Sequence, residues 1–146
     1  MSGPAYARSR TRFYVQGGGV LAGGKTVGSF STQFFALDLT KPWSVYSPTW
    51  IELSSEGPSA TQHNSVISLD GKHILASGTM STFGFLYNIE NDTWVPSTVI
   101  VPEPSRPGIM PVQNMDTGLV YFAGGYGGMT DTTMPIYNFT TDSLMP

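Results

Sequence analysis

One stretch of this sequence spells a phosphate-binding motif letter for letter. Gly19-Val20-Leu21-Ala22-Gly23-Gly24-Lys25-Thr26 fits the pattern G-x-x-x-x-G-K-[ST]. In that chemistry Lys25 would reach phosphate oxygens and Thr26 would hold a magnesium ion. A helix starting at Lys25 would then turn its N-terminus toward the anion. The residues that follow, Val27-Gly28-Ser29-Phe30-Ser31-Thr32, are glycine-rich and β-branched, which suits a helix poorly. The chain also lacks the strand–helix alternation of nucleotide-binding domains. The stretch therefore reads as a glycine-rich loop that matches by chance.

The other reactive residue types are sparse. There are no cysteines, so disulfides, cysteine nucleophiles and thiolate metal sites are excluded together. The two histidines, His63 and His73, flank the Asp70-Gly71 turn and could meet only if the cross-strand register allowed it. Two histidines without a third ligand make a poor catalytic metal site. No Gly-x-Ser-x-Gly elbow marks a serine nucleophile, and no acidic pair recurs in the manner of a glycosidase. The expectation is a chain without enzymatic activity and without cofactor or metal. Arg8, Arg10 and Arg12 form the only basic cluster, spaced by two as on one face of a strand. They offer either a small anion-binding edge or a terminal strand whose charges resist aggregation, and the second reading is preferred. A nucleic-acid surface would need a broader basic stripe.

These residues must be positioned by strands. The 146 residues suffice for one ordinary domain. Charged residues make up only 12% of the chain, and 17 Gly and 11 Pro are spread throughout. Such dense breakers leave no room for long helices. No apolar run approaches membrane-helix length, and Met1 to Arg12 contains none of the signal-peptide kind. The compartment is left unassigned.

The chain repeats itself. Tyr87-Asn88-Ile89-Glu90-Asn91-Asp92-Thr93-Trp94 returns 50 residues later as Tyr137-Asn138-Phe139-Thr140-Thr141-Asp142-Ser143-Leu144. A looser copy is Leu37-Asp38-Leu39, followed by Trp43 and Trp50, either of which is a candidate counterpart of Trp94. Each copy is preceded by an apolar run that ends in a small pair: Gly17-Gly18, Ser77-Gly78 and Gly124-Gly125. Turns precede those runs at Ser9-Arg10-Thr11, Asp70-Gly71 and Asp116-Thr117-Gly118, and the offset from turn end to small pair is 6 in every copy. Each unit reads as strand, tight turn, strand, small pair, variable connection, strand, turn, strand. The variable connections are Gly19 to Thr32, Thr79 to Thr82 and Tyr126 to Met134.

The spacing of Gly-Gly, Tyr-Asn and Trp resembles the kelch repeat. The resemblance implies an all-β propeller fragment of about three four-stranded antiparallel blades, at about 4–54, 60–97 and 106–146. Gly17, Gly18, Trp50, Gly78, Tyr87, Trp94, Gly124, Gly125 and Tyr137 carry the motif. Ser77 and Leu144 depart from it, standing where Gly and Trp are expected. The last blade is expected to lack its fourth strand, giving eleven strands. Three blades are too few to close a ring, so the chain is expected to be a fragment with open apolar edges, or half of a homodimeric ring.

The match looks most like fungal kelch proteins termed galactose-oxidase-like, whose members are often extracellular. Their copper-radical cofactor needs a cysteine that this chain lacks. The resemblance favours a non-catalytic scaffold binding a protein or peptide through loops on one face. The alternatives are a degenerate carbohydrate-binding domain and a truncated fragment without independent function. The variable connections all follow equivalent strands, which places candidate binding residues Phe30, Phe83, Tyr126 and Met129 together. The sequons at Asn91 and Asn138 are candidate N-glycosylation positions, Asn138 being the poorer because it falls within an expected strand.

Overall fold

A computed structural model describes residues 5–9, 11–22, 25–60, 63–77, 84–99, 110–123 and 134–145. These residues form strands, turns and loops, with no helix among them. The first sheet comprises β1 (Ala5–Arg8), β2 (Arg12–Gln16), β5 (Phe34–Asp38) and β6 (Trp50–Glu52), with neighbours in chain order. Between β2 and β5 the chain makes a separate two-stranded ribbon, β3 (Gly19–Ala22) and β4 (Lys25–Phe30). The second sheet comprises β7 (Asn64–Ile67), β8 (His73–Ser77), β9 (Gly84–Asn88) and β10 (Thr93–Pro96). The third comprises β11 (Met110–Gln113), β12 (Val120–Ala123), β13 (Ile136–Asn138) and β14 (Ser143–Met145). All pairings are antiparallel.

The architecture is therefore all-β, with three four-stranded sheets in the manner of propeller blades. The first strands lie innermost: β7 contacts both β1 and β11. The third blade corrects the expected strand count. It has four strands, because the turn at Thr140–Asp142 reverses the chain at once and the three residues of β14 suffice to pair with β13.

Pairing register defines equivalent positions without reference to residue letters. Arg8 pairs with Phe13, Ile67 with Ile74, and Gln113 with Val120. On the other side of these second strands, Phe13 pairs with Leu37, Ile74 with Tyr87, and Val120 with Tyr137. Continuing outward, Leu37 pairs with Trp50, Tyr87 with Trp94, and Tyr137 with Leu144. Trp50, not Trp43, is thus the positional counterpart of Trp94. Gln16, Ser77 and Ala123 are likewise equivalent, each ending its second strand opposite the start of the first. Ser77 therefore precedes the small pair rather than belonging to it. Gly78, Gly124 and Gly125 lie outside the described residues.

Alternation along the strands sends one side chain to the preceding blade and the next to the following one. Between blades 1 and 2, Tyr14, Phe34 and Ala36 meet Ile74, Ala76, Tyr87 and Trp94. Phe34 lies at the centre, with its ring 4.7 Å from Tyr87, 5.1 Å from Trp94 and 5.9 Å from Tyr14. Edge-on and offset contacts of this kind add to the gain from buried area. Between blades 2 and 3, Leu75 meets Val120, Phe122 and Tyr137, flanked by Val66 and Leu86.

The turn before each outer strand fastens its blade to the preceding linker. Asp92 and Asp142 adopt φ of 53° and 43°, a left-handed conformation that aspartate tolerates in turns. The Asp92 carboxylate accepts the Tyr87 hydroxyl at 2.8 Å and the Ser54 N–H at 2.8 Å. The Asp142 carboxylate accepts Tyr137 at 2.7 Å, the Ser97 hydroxyl at 2.8 Å, and the Thr98 N–H and hydroxyl at 3.0 and 2.7 Å. Blade 1 departs from this device, with Leu37 in place of tyrosine and an eleven-residue connection, residues 39–49, in place of the tight turn.

Candidate ligand groove

Each blade's first and second strands are joined by a short turn at the same end of the molecule. In blade 2, Ser68 and Asp70 build the turn. The Ser68 hydroxyl donates to Asp70 Oδ1 at 2.6 Å, while the Lys72 N–H donates to the same oxygen at 3.0 Å. Gly71 follows with φ of 72°, a conformation that costs glycine little. The bonds from Ser68 and Lys72 hold the Asp70 carboxyl below the usual carboxylate range. In blade 3 the Asn114 side chain caps the equivalent turn by accepting from Asp116 and Thr117 N–H at 2.8 and 3.0 Å.

At this end the three blades enclose a groove of about 1030 Å³. Its walls include the three register-equivalent residues Arg8, Ile67 and Gln113 from the inner strands of blades 1, 2 and 3. Ser9, Thr11, Arg12 and Tyr14 line it from blade 1, Ser68 to Gly71 and Ile89 from blade 2, and Met115 from blade 3. Ile67 and Ile89 also pack on the core between blades 1 and 2, so the apolar floor continues into the protein interior. Leu69 and Met115 stand at the rim, 45% and 71% exposed.

Two arginines are among the lining residues, on opposite faces of the β1–β2 hairpin, because Arg8 pairs with Phe13 and Arg12 precedes Phe13. Among the described residues the only ion pair joins Lys41 to Asp38 at 3.6 Å, and Asp38 is also the cross-strand neighbour of Arg12. Asp70 is the single acid in the lining, and its Oδ1 already accepts two hydrogen bonds. The groove is locally positive in a chain of net charge −3. The arginines do not share one strand face as their spacing suggested. Arg8 ends β1 and Arg12 begins β2, with Ser9 turning the chain between them through its bonds to the Arg12 backbone. Arg10 lies outside the described residues.

The opposite end of the strands received the sequence-based binding expectation. Of its four residues, only Phe30 is described: it ends β4 and is 47% exposed. Phe83, Tyr126 and Met129 lie outside the described residues. The stretch read as a loop between Gly19 and Thr32 contains the β3–β4 ribbon. Lys25, where a phosphate-binding helix would begin, instead opens a strand.

Register also separates the histidines. Asn64, next to His63, pairs with Ser77, whereas His73 lies at the other end of the same hairpin. His63 is 4% exposed, and burial pushes its pKa down to about 4. It abuts Gly17, where a Cβ would fall 2.8 Å from His63 Cε1 and 2.7 Å from the Ala60 carbonyl. Glycine is required there, and its φ of 70° reinforces the point. His63 Nδ1 and Nε2, Gln16 Oε1 and Ser77 Oγ are buried without partners among the described residues. Those residues hold no group of three or more acids, histidines or cysteines suited to a metal ion. Among the described residues no helix is long and apolar enough to cross a membrane.

The tyrosines of the repeat are buried and donate their hydroxyls to the turn aspartates. Burial raises the Tyr87 and Tyr137 hydroxyl pKa values well above the ordinary range, and the bonds to Asp92 and Asp142 add to the effect. Of the sequon residues, Asn91 sits exposed in the turn after β9. Asn138 ends β13, and its side-chain oxygen accepts the Thr140 N–H at 2.8 Å.

No protein-family model matches the chain, and no curated protein matches it in sequence. Solved structures do. One titled "Structure of YjhT" superposes with a TM-score of 0.69 at 14% identity, covering 99% of this chain and 49% of that one. At such identity the likeness establishes the fold alone. The chain spans about half the length of the structure it matches.

Proposed function

We propose that this chain is a non-catalytic propeller scaffold with kelch-type repeats, and that it binds a protein or peptide segment in the groove at the first-hairpin end. The observation that carries the reading is the meeting of Arg8, Ile67 and Gln113. They occupy one register position in three blades and line one groove. Loops and turns on a rigid sheet scaffold are where binding residues concentrate. Concave sites that combine an apolar floor with a few polar groups favour ligands. The reading places the site at the opposite end from Phe30, on elements whose geometry is set by paired strands.

Selection of peptides from a random displayed library on the immobilised chain tests this. Leu69→Glu with Met115→Glu alters two exposed rim residues and leaves the fold intact. The reading expects selected peptides to be captured by the wild-type chain and to lose at least tenfold in capture by the double variant. Equal capture by both would overturn it.

A further inference from the structure

We infer that this chain pairs head to tail with a second copy of itself, the outer face of blade 3 in each copy seating on the outer face of blade 1 in the other, so that two copies close one ring. The surface concerned is separate from the groove. Register defines it. Tyr87 and Trp94 of blade 2 pack toward blade 1. Their equivalents in blade 1, Leu37 and Trp50, belong to neither interblade core, because they point away from blade 2. Leu37 is already buried within the chain, whereas Trp50 is 42% exposed and has the ring of Phe35 6.5 Å away. At the other end of the row, Val66, Leu75 and Leu86 of blade 2 pack toward blade 3. The register Val66–Leu75–Leu86 returns in blade 3 as Val112–Tyr121–Ile136. No sheet follows these three among the described residues, and Val112 is 61% exposed.

The two outer faces are of the kinds that already meet twice inside the chain, between blades 1 and 2 and between blades 2 and 3. One contact of the new junction can be named. Phe34 meets Trp94 with ring centroids 5.1 Å apart. Phe34 and Met134 stand three residues before the equivalent positions Leu37 and Tyr137, and Trp94 is the equivalent of Trp50. A repeat of the internal junction sets Met134 of one copy, 50% exposed in the single chain, on Trp50 of the other. Thioether–aromatic contacts are favourable, and methionine and aromatic residues are enriched at interface cores. A second copy is assigned as the occupant because each copy brings both faces, so one contact type serves twice and no apolar face stays open. Two copies supply six four-stranded sheets, within the range of about 4–8 blades in closed propellers. Their combined length also matches that of the solved structure of which this chain covers 49%. Head-to-tail contacts close into a ring when the rotation returns on itself and otherwise grow into filaments.

Sedimentation velocity of the intact chain at about 1 to 100 μM, the range in which a micromolar dimer forms, reads the pairing. The inference expects a species of twice the mass of one chain and none larger. Trp50→Lys and Met134→Glu should each weaken the dimer at least tenfold, because each substitution spoils both junctions of the ring. Mixed in equal amounts, the two variants should recover a dimer, with one junction unaltered and the other bringing opposite charges together. That recovery also shows that both variants fold. Leu69→Glu with Met115→Glu, in the groove, should leave the dimer unchanged, so this inference and the groove reading fail separately. A monomer at every concentration would overturn the inference and assign the two faces to further blades of a longer polypeptide. A dimer indifferent to both single substitutions, or variants that stay apart on mixing, would overturn the junction. Species that keep growing with concentration would overturn ring closure.

Discussion

The Asp92 carboxylate of blade 2 accepts the backbone N–H of Ser54, 38 residues earlier in the linker from blade 1, at 2.8 Å. Asp142 repeats the arrangement with Thr98, 44 residues earlier, at 3.0 Å. One side chain thereby joins its own blade's tyrosine to the chain leaving the preceding blade. The device stabilises blade order as well as blade structure.

Replacing Asp142 tests its weight. Asp142→Ala removes the acceptor for Tyr137, Ser97 and Thr98. Charge-assisted bonds of this type contribute about 1.5–3 kcal/mol each without adding fully. The variant should lose about 3 kcal/mol in urea denaturation, and Asp142→Asn about half as much.

The two register-equivalent tryptophans should respond differently. Trp94 is 8% exposed, touches Phe34 and Tyr87, and donates Nε1–H to the Ser54 carbonyl at 3.0 Å. Trp50 occupies the matching position in blade 1 but is 42% exposed. Trp94→Ala should cost about 3–5 kcal/mol. Trp50→Ala should cost about 1 kcal/mol or less. Matched denaturant curves on the two variants provide the comparison.

Gly57 lies flat against the same tryptophan. A Cβ there would approach Trp94 Cε2 to 2.6 Å. Gly57→Ala must push the indole ring or the linker aside, at about 1–3 kcal/mol. Thermal unfolding should show the loss, together with a shift in tryptophan emission.

Acid should weaken the fold in two steps. His63 is buried neutral, with its pKa lowered to about 4 from an ordinary 6.5. A histidine depressed in the folded state contributes stability that is present above pH 6.5 and lost as pH falls toward 4. The loss is about 3 kcal/mol across that window. Asp142 acts lower. Burial opposes its ionisation, but the bonds from Tyr137, Thr98 and Ser97 outweigh burial and hold it below the usual range. Its contribution is present above about pH 4 and disappears as pH falls through its folded value. Urea midpoints from pH 7 to 3 should show both steps, and His63→Leu should flatten only the upper one.

The blades were legible in the sequence because their signals are local. Tyr87 to Trp94 and Tyr137 to Leu144 lie within single hairpins, and Asp70-Gly71 announces its own turn. What escaped was non-local or masked by composition. Asp92 and Asp142 show in the sequence only as matching members of the repeated octad, while their hold on Ser54 and Thr98 depends on how blades dock. The β3–β4 ribbon escaped because a Gly-rich stretch carries weak strand signals. The groove was only half visible. Arg8 and Arg12 stood out as charges, but their placement on opposite faces of one hairpin depends on the pairing of Arg8 with Phe13. No letter pattern relates Arg8 to Ile67 and Gln113, which register alone makes equivalent.

The most direct measurement is chemical-shift mapping of the isotopically labelled chain with a peptide selected from the displayed library. The account predicts perturbations centred on Arg8, Ile67 and Gln113, extending to Leu69 and Met115. Perturbations confined to the opposite end, around Phe30, would contradict it and return the site to the connections between second and third strands.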